Sequence, residues 1–314
     1  MTKTTIMVNH LAKSYSNKGV TDSSIEEFWA LKDVSFEVME GEILCILGES
    51  GSGKSTLAKL LVGAIEPTDG QMVVDNKDIC NLSDSRRLQH NRRIRMVFQD
   101  TLGSLNPSRS LGEILAEPLI NMTQLDKREQ QQRIIKVLDL VGLKTEHLGR
   151  LPHSFSAGER QKIAIARALV MEPVCIIADE PLSSLESSAQ SQIINLILDL
   201  QKHLNLSFIM VTQDANVIKH MCDKVIVLCR GRVVEYGPAK DVIENPRHPY
   251  TKQFLDVSKH SPRDHSGIHM DASTEACVFH DRCEIATDLC REVKPVPELE
   301  SNRQICCHHL DDSI

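Results

Sequence analysis

No window of this 314-residue chain approaches the ~18 consecutive apolar residues that a membrane-spanning helix needs. Its longest apolar runs, "EILCILG" and "VCIIAD", have the length of strands. The N-terminal "MTKTTIMVNHL" has no apolar h-region of a signal peptide, so the chain is expected to be soluble and cytosolic. Excess positive charge is also missing. The formal net charge of −7 offers no footprint for a phosphate backbone, which argues against nucleic acid as the main partner. One basic run, "RRLQHNRRIR" (86–95), reads as a solvated helix face. Close C-x2-C pairs are absent although there are ten cysteines, which a reducing compartment would keep as thiols or metal ligands rather than disulfides. No internal repeat is evident.

What is present is ordinary globular usage, 41% hydrophobic and 25% charged, enough for one large domain or two modest ones. Residues 1–40 read as β-rich, interrupted by the polar insertion "SNKGVTDSSIEE". "EILCIL" is a buried-strand candidate, followed by a glycine loop and the helix-patterned "KSTLAKLLVGAI". "RIRMVFQD" reads as a further strand. From about 100 to 170 the periodicity is helical, clearest in "LGEILAEPLI" and "REQQQRIIKVLDLVGL". Strands return at "VCIIAD" (174–179), "SFIMVT" (207–212) and "KVIVLC" (224–229), with the helical "SQIINLILDLQKHL" between the first two. This alternation predicts a parallel α/β core carrying a helical insert. After "HPYTKQF" (248–254) the periodicity fades into a polar tail rich in Cys, His and Pro.

The stretch "GESGSGKST" (48–56) fits G-x-x-x-x-G-K-[ST] between a predicted strand and a predicted helix. Gly48, Gly51 and Gly53 would let backbone N–H groups turn inward around phosphates, with Glu49, Ser50, Ser52 and Thr56 completing the loop. The helix starting near Lys54 aims its positive dipole end at the same place. Lys54 would reach the β- and γ-phosphates of a nucleotide and the Ser55 hydroxyl would ligate Mg²⁺. Asp179 ends a buried strand, where it can hold Mg²⁺ through water, and Glu180 can polarise a hydrolytic water.

The segment "SFSAGERQKIAIARAL" (154–169) resembles the signature motif of ATP-binding-cassette proteins, normally Leu-Ser-Gly-Gly-Gln, and lies just ahead of the acidic strand. The order of phosphate loop, Gln99, signature, acidic strand and Gln213 matches the cassette throughout. "VFQDTLGSLNPSRSLGEILAEPL" (97–119), "HPYTKQFL" and the C-terminal cysteines resemble the oligopeptide/dipeptide/nickel importer branch of ATPase subunits. That resemblance implies an α/β P-loop NTPase fold of the cassette type, with an N-terminal antiparallel β part, a helical subdomain and a Cys-rich extension. The expected domains are a nucleotide-binding core at 1–98 and 168–250, a helical subdomain at 99–167 and the extension at 251–314.

The resemblance also implies roles for residues. Ser156 and Gly158 keep the signature pattern that contacts the γ-phosphate across a head-to-tail dimer, while Ala157 and Glu159 replace Gly and Gln. Gln99 corresponds to the residue that senses Mg²⁺ and the lytic water. Tyr15 stands where an aromatic stacks on adenine, with Trp29 as a rival. Glu186 replaces the Asp of the loop after the acidic strand. Gln213, in "FIMVTQDANV", stands where the family has a His that hydrogen-bonds the γ-phosphate; Gln can donate but cannot carry a proton or charge. The implied protein is the ATP- and Mg-dependent ATPase subunit of a peptide- or nickel-type importer with reduced intrinsic hydrolysis. It would sit on the cytoplasmic face of the inner membrane with a second ATPase subunit, two permease subunits and an extracytoplasmic solute-binding protein. A weakly hydrolysing nucleotide-gated clamp and a non-transport cassette protein are the alternatives.

The tail holds Cys277, Cys283, Cys290, Cys306 and Cys307. The spacing of Cys277, Cys283, Cys290 and Cys307, C-x5-C-x6-C-x16-C, resembles the four-cysteine extension of the peptide-importer branch, which in some members holds a [4Fe–4S] cluster. Free thiols, or zinc assisted by His280, His308 or His309, are the other readings.

Overall fold

The computed structural model of the protein describes residues 3–18, 25–80, 90, 92–256, 275–300 and 302–310. Half of the basic run at 86–95 lies outside the described residues, as does the centre of the polar insertion.

In chain order the strands are β1 (Thr4–Lys18), β2 (Ile25–Met39), β3 (Ile43–Leu47), β4 (Asp69–Val74), β5 (Lys77–Asp78), β6 (Ile94–Val97), β7 (Cys175–Asp179), β8 (Ser207–Val211), β9 (Lys224–Cys229), β10 (Arg232–Pro238), β11 (Glu298–Glu300) and β12 (Arg303–Ile305). The helices are α1 (Lys54–Leu61), α2 (Thr101–Ser104), α3 (Leu111–Met122), α4 (Lys127–Leu140), α5 (Ala157–Leu169), α6 (Ser187–Leu204), α7 (Ala215–Met221), α8 (Ala239–Glu244), α9 (Pro249–Leu255) and α10 (Asp288–Glu292). The chain divides into two compact units. The first comprises Met1–Thr5, Met39–Glu42 and Leu82–Val211, and the second Ile6–Val38, Ile43–Asn81 and Thr212–Ile314.

In the first unit β6, β7 and β8 run parallel, with Ile94 opposite Cys175 and Asp179 opposite Val211. β8 is buried along its whole length and β7 along all but its last residue, Asp179. This explains why both read as continuous apolar runs rather than alternating ones. The helical insert is punctuated by capping boxes. Ser110 with Glu113, Asp126 with Glu129 and Ser156 with Glu159 open α3, α4 and α5, each side chain satisfying the other's backbone N–H.

In the second unit β2, β1, β4 and β5 form a four-stranded sheet in that order, with β4 antiparallel to both β1 and β5, where the N-terminal sequence reads as β-rich. A further group of strands runs β11-β12-β10-β9-β3. β3 is parallel to β9, with Leu44 opposite Lys224, and the pairings outward from β9 are antiparallel. The faded periodicity of the tail gave no sign of β12, which pairs with β10 (Glu235 opposite Ile305). Arg303 of β12 also forms a buried ion pair with Glu235 of β10. One core cluster joins Cys45 and Leu47 of β3, Val225 and Val227 of β9, Tyr250 of α9 and the tail residues Cys277, Val278, Phe279 and Cys290. The tail is therefore built into this unit.

Candidate functional site

The phosphate loop joins β3 to α1 in the second unit. Gly48 and Gly53 have φ of 155° and 105°. A Cβ on Gly48 would lie 2.3 Å from the carbonyl oxygen of Leu228, and one on Gly53 would lie 2.8 Å from that of Ala30. No side chain fits either place, so both positions require glycine. Gly53 caps α1 without a side-chain hydrogen bond, and the first turn of α1 contains no acidic residue. The opening turn carries the positive end of the helix dipole, which favours an anion there. Lys54 is largely buried. Its ammonium donates to the carbonyl oxygens of Gly48 and Glu49, each at 2.7 Å, so the cation lies across the loop. Ser55 is exposed on the same first turn. The cradle fits the phosphates of a nucleotide, and Ser55 is available to a cation bound with them.

Tyr15 lies on β1, 44% exposed, with the Lys13 ammonium 5.3 Å from its ring centroid. Trp29, the rival stacker, is half-buried with Lys32 over its ring at 5.3 Å. Gln213 is exposed, one residue before Asp214, whose side chain accepts from the N–H groups of Asn216 and Val217 and caps α7.

The acidic residues lie in the first unit. Asp179 is the last residue of β7, and Glu180 follows with φ 43°, a left-handed conformation uncommon for this residue type. The Glu180 backbone N–H donates to the Val211 carbonyl at 2.9 Å. Gln99 Nε2 donates to Glu180 Oε2 at 3.0 Å. The structure thus brings together two residues 81 positions apart that the sequence assigned to one hydrolytic centre.

The signature residues form the start of α5. Ser156 is its N-cap, and Glu159 Oε2 accepts from the Ser156 N–H at 2.8 Å and from its hydroxyl at 3.0 Å. That hydrogen bonding holds the Glu159 carboxyl below its usual range. Glu159 thus forms a capping box with Ser156, a place that Gln also fills. Ala157, the first residue of α5, has no positive φ, so its methyl is tolerated. A Cβ on Gly158 would sit 3.3 Å from that of Ala189 on α6, a close approach of the two helices. Glu186 caps α6 without a side-chain bond. The preceding turn is held by Gln190 Nε2, which donates to the carbonyls of Leu182 and Leu185 at 3.1 Å.

The four predicted cysteine ligands converge in the second unit. Every pair among Cys277, Cys283, Cys290 and Cys307 is near enough to interact electrostatically. The Cys277 N–H donates to the Cys290 carbonyl at 2.9 Å, and the Cys307 Sγ accepts from the His309 N–H at 3.4 Å. Backbone groups of Phe279 and Ile285 likewise hydrogen-bond Cys277 and Cys283. Burial pushes the Cys277 thiol up to about 11. One nitrogen of each candidate helper histidine is already engaged: His280 with the Cys277 carbonyl, His308 with the Val293 carbonyl and His309 with the Thr287 hydroxyl. Among the described residues no group of three or more His, Cys, Asp or Glu side chains is arranged to hold a metal ion.

Sequence reasoning missed the surroundings of Glu49. Its carboxylate accepts two N–H bonds from Arg282, and its backbone N–H donates to the Tyr250 hydroxyl at 2.9 Å. The "HPY" tripeptide was visible, but nothing in its spacing tied Tyr250 to a loop 201 residues away.

Comparison with known proteins agrees with these features. Residues 31–183 match the ABC transporter family, and residues 234–290 match the family described as oligopeptide/dipeptide transporter, C-terminal region. The chain is 40% identical over 301 residues to the di/tripeptide transport ATP-binding protein DppF of Pseudomonas aeruginosa, covering 91% of each. It is 38% identical over 291 residues to the dipeptide transport ATP-binding protein DppF of Escherichia coli, covering 90% of this chain and 87% of that one. Among solved structures, a dimeric ATP-binding cassette in a post-hydrolysis state with ADP and phosphate matches with a TM-score of 0.65 at 30% identity. The match covers 74% of this chain and 98% of that one. The cbiO1 component of a Clostridium perfringens ABC transporter complex matches with a TM-score of 0.67 at 30% identity, covering 82% and 97%.

Proposed function

Because the chain belongs to the ATP-binding-cassette ATPases, in the oligopeptide/dipeptide transporter branch, we propose that it couples ATP hydrolysis to the import of peptides. The observation that carries this reading is the glycine-walled loop, crossed by Lys54 and opening onto the first turn of α1, which holds no acidic residue. Lys54 and the loop N–H groups bind the phosphates. Ser55 and Asp179, with Gln99, are the residues to hold Mg²⁺, whose chemistry is to offset charge on the phosphate oxygens. Glu180 accepts a proton from the water whose oxygen attacks the γ-phosphorus, and ADP leaves with the electron pair of the broken P–O bond. The hydrogen bond from Gln99 fixes the Glu180 carboxyl group for that task.

A second ATPase subunit, facing this one head to tail, completes each site with Ser156 and its following residues. Gln213 and Glu186 weaken this chain's contribution, whereas the methyl of Ala157 is tolerated, and this suits an asymmetric pair with a stronger partner. The pair docks under two permease subunits at the cytoplasmic membrane face and receives solute from an extracytoplasmic binding protein. The helical subdomain at 99–167 is the docking part, the core spans 1–98 and 168–250, and the extension starts at 251. No described helix is long and apolar enough to cross a membrane. In a reconstituted complex, peptide-loaded binding protein should stimulate hydrolysis and Glu180→Gln should abolish it. Hydrolysis indifferent to peptide would count against transport.

The four converging cysteines are assigned a structural [4Fe–4S] cluster. What supports the assignment is the resemblance of the cysteine spacing to the four-cysteine extension of the peptide-importer branch and the mutual approach of the four thiols. Anaerobic purification should give stoichiometric iron and sulfide with a visible absorption band. Colourless, iron-free protein would refute the assignment.

A further inference from the structure

Glu49 is the one acidic residue of "GESGSGKST", and a carboxylate inside a phosphate-binding loop opposes its ligand by charge. Arg282 answers that charge in this chain. Its Nη1 and Nη2 donate to the two carboxylate oxygens of Glu49, each at 2.8 Å, in a bidentate pair whose side chains are only 20% and 22% exposed. The guanidinium lies 5.4 Å from the Phe279 ring centroid, and Phe279 packs edge-on against Tyr250 at 5.3 Å. The Tyr250 hydroxyl in turn accepts the Glu49 N–H.

The same tail segment grips the loop by a second route. Asp281 accepts two bonds from Arg230, at 2.9 and 2.7 Å, and Arg230 also donates to the Val278 carbonyl at 2.9 Å. The next residue, Gly231, donates its N–H to the Ser52 carbonyl of the phosphate loop at 2.9 Å. Glu49 is thus tied directly to residues 277–283, a segment bounded by two of the four converging cysteines, and Ser52 is tied to it indirectly, through Gly231 and Arg230.

We propose that Arg282 is a positioning residue of the nucleotide site, holding the phosphate loop in its binding shape and neutralising Glu49. Any rearrangement of the Cys277–Cys283 segment then reaches ATP through this ion pair, which gives the cysteine-rich extension control over nucleotide affinity. The inference rests on the nucleotide-site reading above.

The test is calorimetric titration of the full chain with Mg-ATP, each variant's fold checked by circular dichroism. Arg282→Ala should weaken binding about tenfold, because it frees a carboxylate beside the phosphates. Glu49→Ala in that background should recover affinity to within about threefold of the parent, and Arg282→Lys should lose less than Arg282→Ala. Unchanged affinity in Arg282→Ala overturns the proposal, as does a double variant no better than the single, which would mark a merely structural contact. If Arg282→Ala does not fold, Arg282→Gln, which keeps the stem over Phe279, carries the same expectations and the same refutations. A parent chain that does not bind Mg-ATP would instead sink the nucleotide-site reading itself.

Discussion

At Gln213 an amide stands where the resemblance calls for an imidazole. It lies between the end of β8 and the cap residue Asp214 of α7, and we take the difference as one of chemistry. Gln can donate one hydrogen bond to the developing phosphate charge but cannot add a positive charge to it. Losing a whole donor typically costs ~10²–10³ in turnover. Since Gln keeps a donor, Gln213→His should raise ATP turnover in the reconstituted complex on the order of tenfold. Equal or lower turnover in a verified complex would show that Gln213 is not a catalytic weakness. Glu159 teaches the opposite lesson. It too departs from the family pattern, yet its carboxylate turns back onto Ser156 as half of a capping box. The S-x-x-E spacing is that of a capping box, a signal that sequence reading passes over when Glu159 is treated only as a replacement in the signature.

Among elements, those with long periodic patterns were legible and the shortest were not. "LGEILAEPLI" and "REQQQRIIKVLDLVGL" gave α3 and α4, and the apolar runs gave β3, β7, β8 and β9. β11 and β12 have three residues each, too few to show an alternation, and they exist because β10 offers an edge and Arg303 a buried partner for Glu235. The start of α9 was likewise invisible. His248 is its N-cap, 1% exposed, and its Nδ1 accepts the Tyr250 N–H at 3.0 Å, which requires a neutral ring. Burial pushes its pKa from 6.5 down to about 3. Between those values the unfolded chain binds the proton and the folded chain does not, so stability is complete above pH 6.5 and falls as pH drops. The expected loss at pH 5 is about 2 kcal/mol relative to neutral pH. His248→Asn, which can still cap the helix, should remove that part of the acid sensitivity in urea unfolding at pH 7.5 and 5.0. Identical pH dependence in both proteins would contradict a buried neutral His248.

For the whole molecule, the sequence announced the two halves of the chemistry but not their support. The phosphate loop and the acidic strand end were readable because their chemistry demands particular residues at fixed spacing. Glu49, Arg282 and Tyr250 were not joined by any pattern, since a bidentate ion pair between positions 233 apart leaves no local trace. The cysteine spacing suggested a gathering of thiols, and folding brings them together next to the segment that holds the loop. Everything proposed for turnover, partner and extension depends on the loop being a nucleotide site. The most direct test is calorimetric titration of the parent chain and of Lys54→Ala with Mg-ATP, with circular dichroism as the check on folding. Lys54 supplies a charge-assisted contact to the phosphates, so its removal should weaken binding roughly a hundredfold, about 3 kcal/mol, in a protein that remains folded. Equal affinity in the two proteins would contradict the assignment of this loop to ATP.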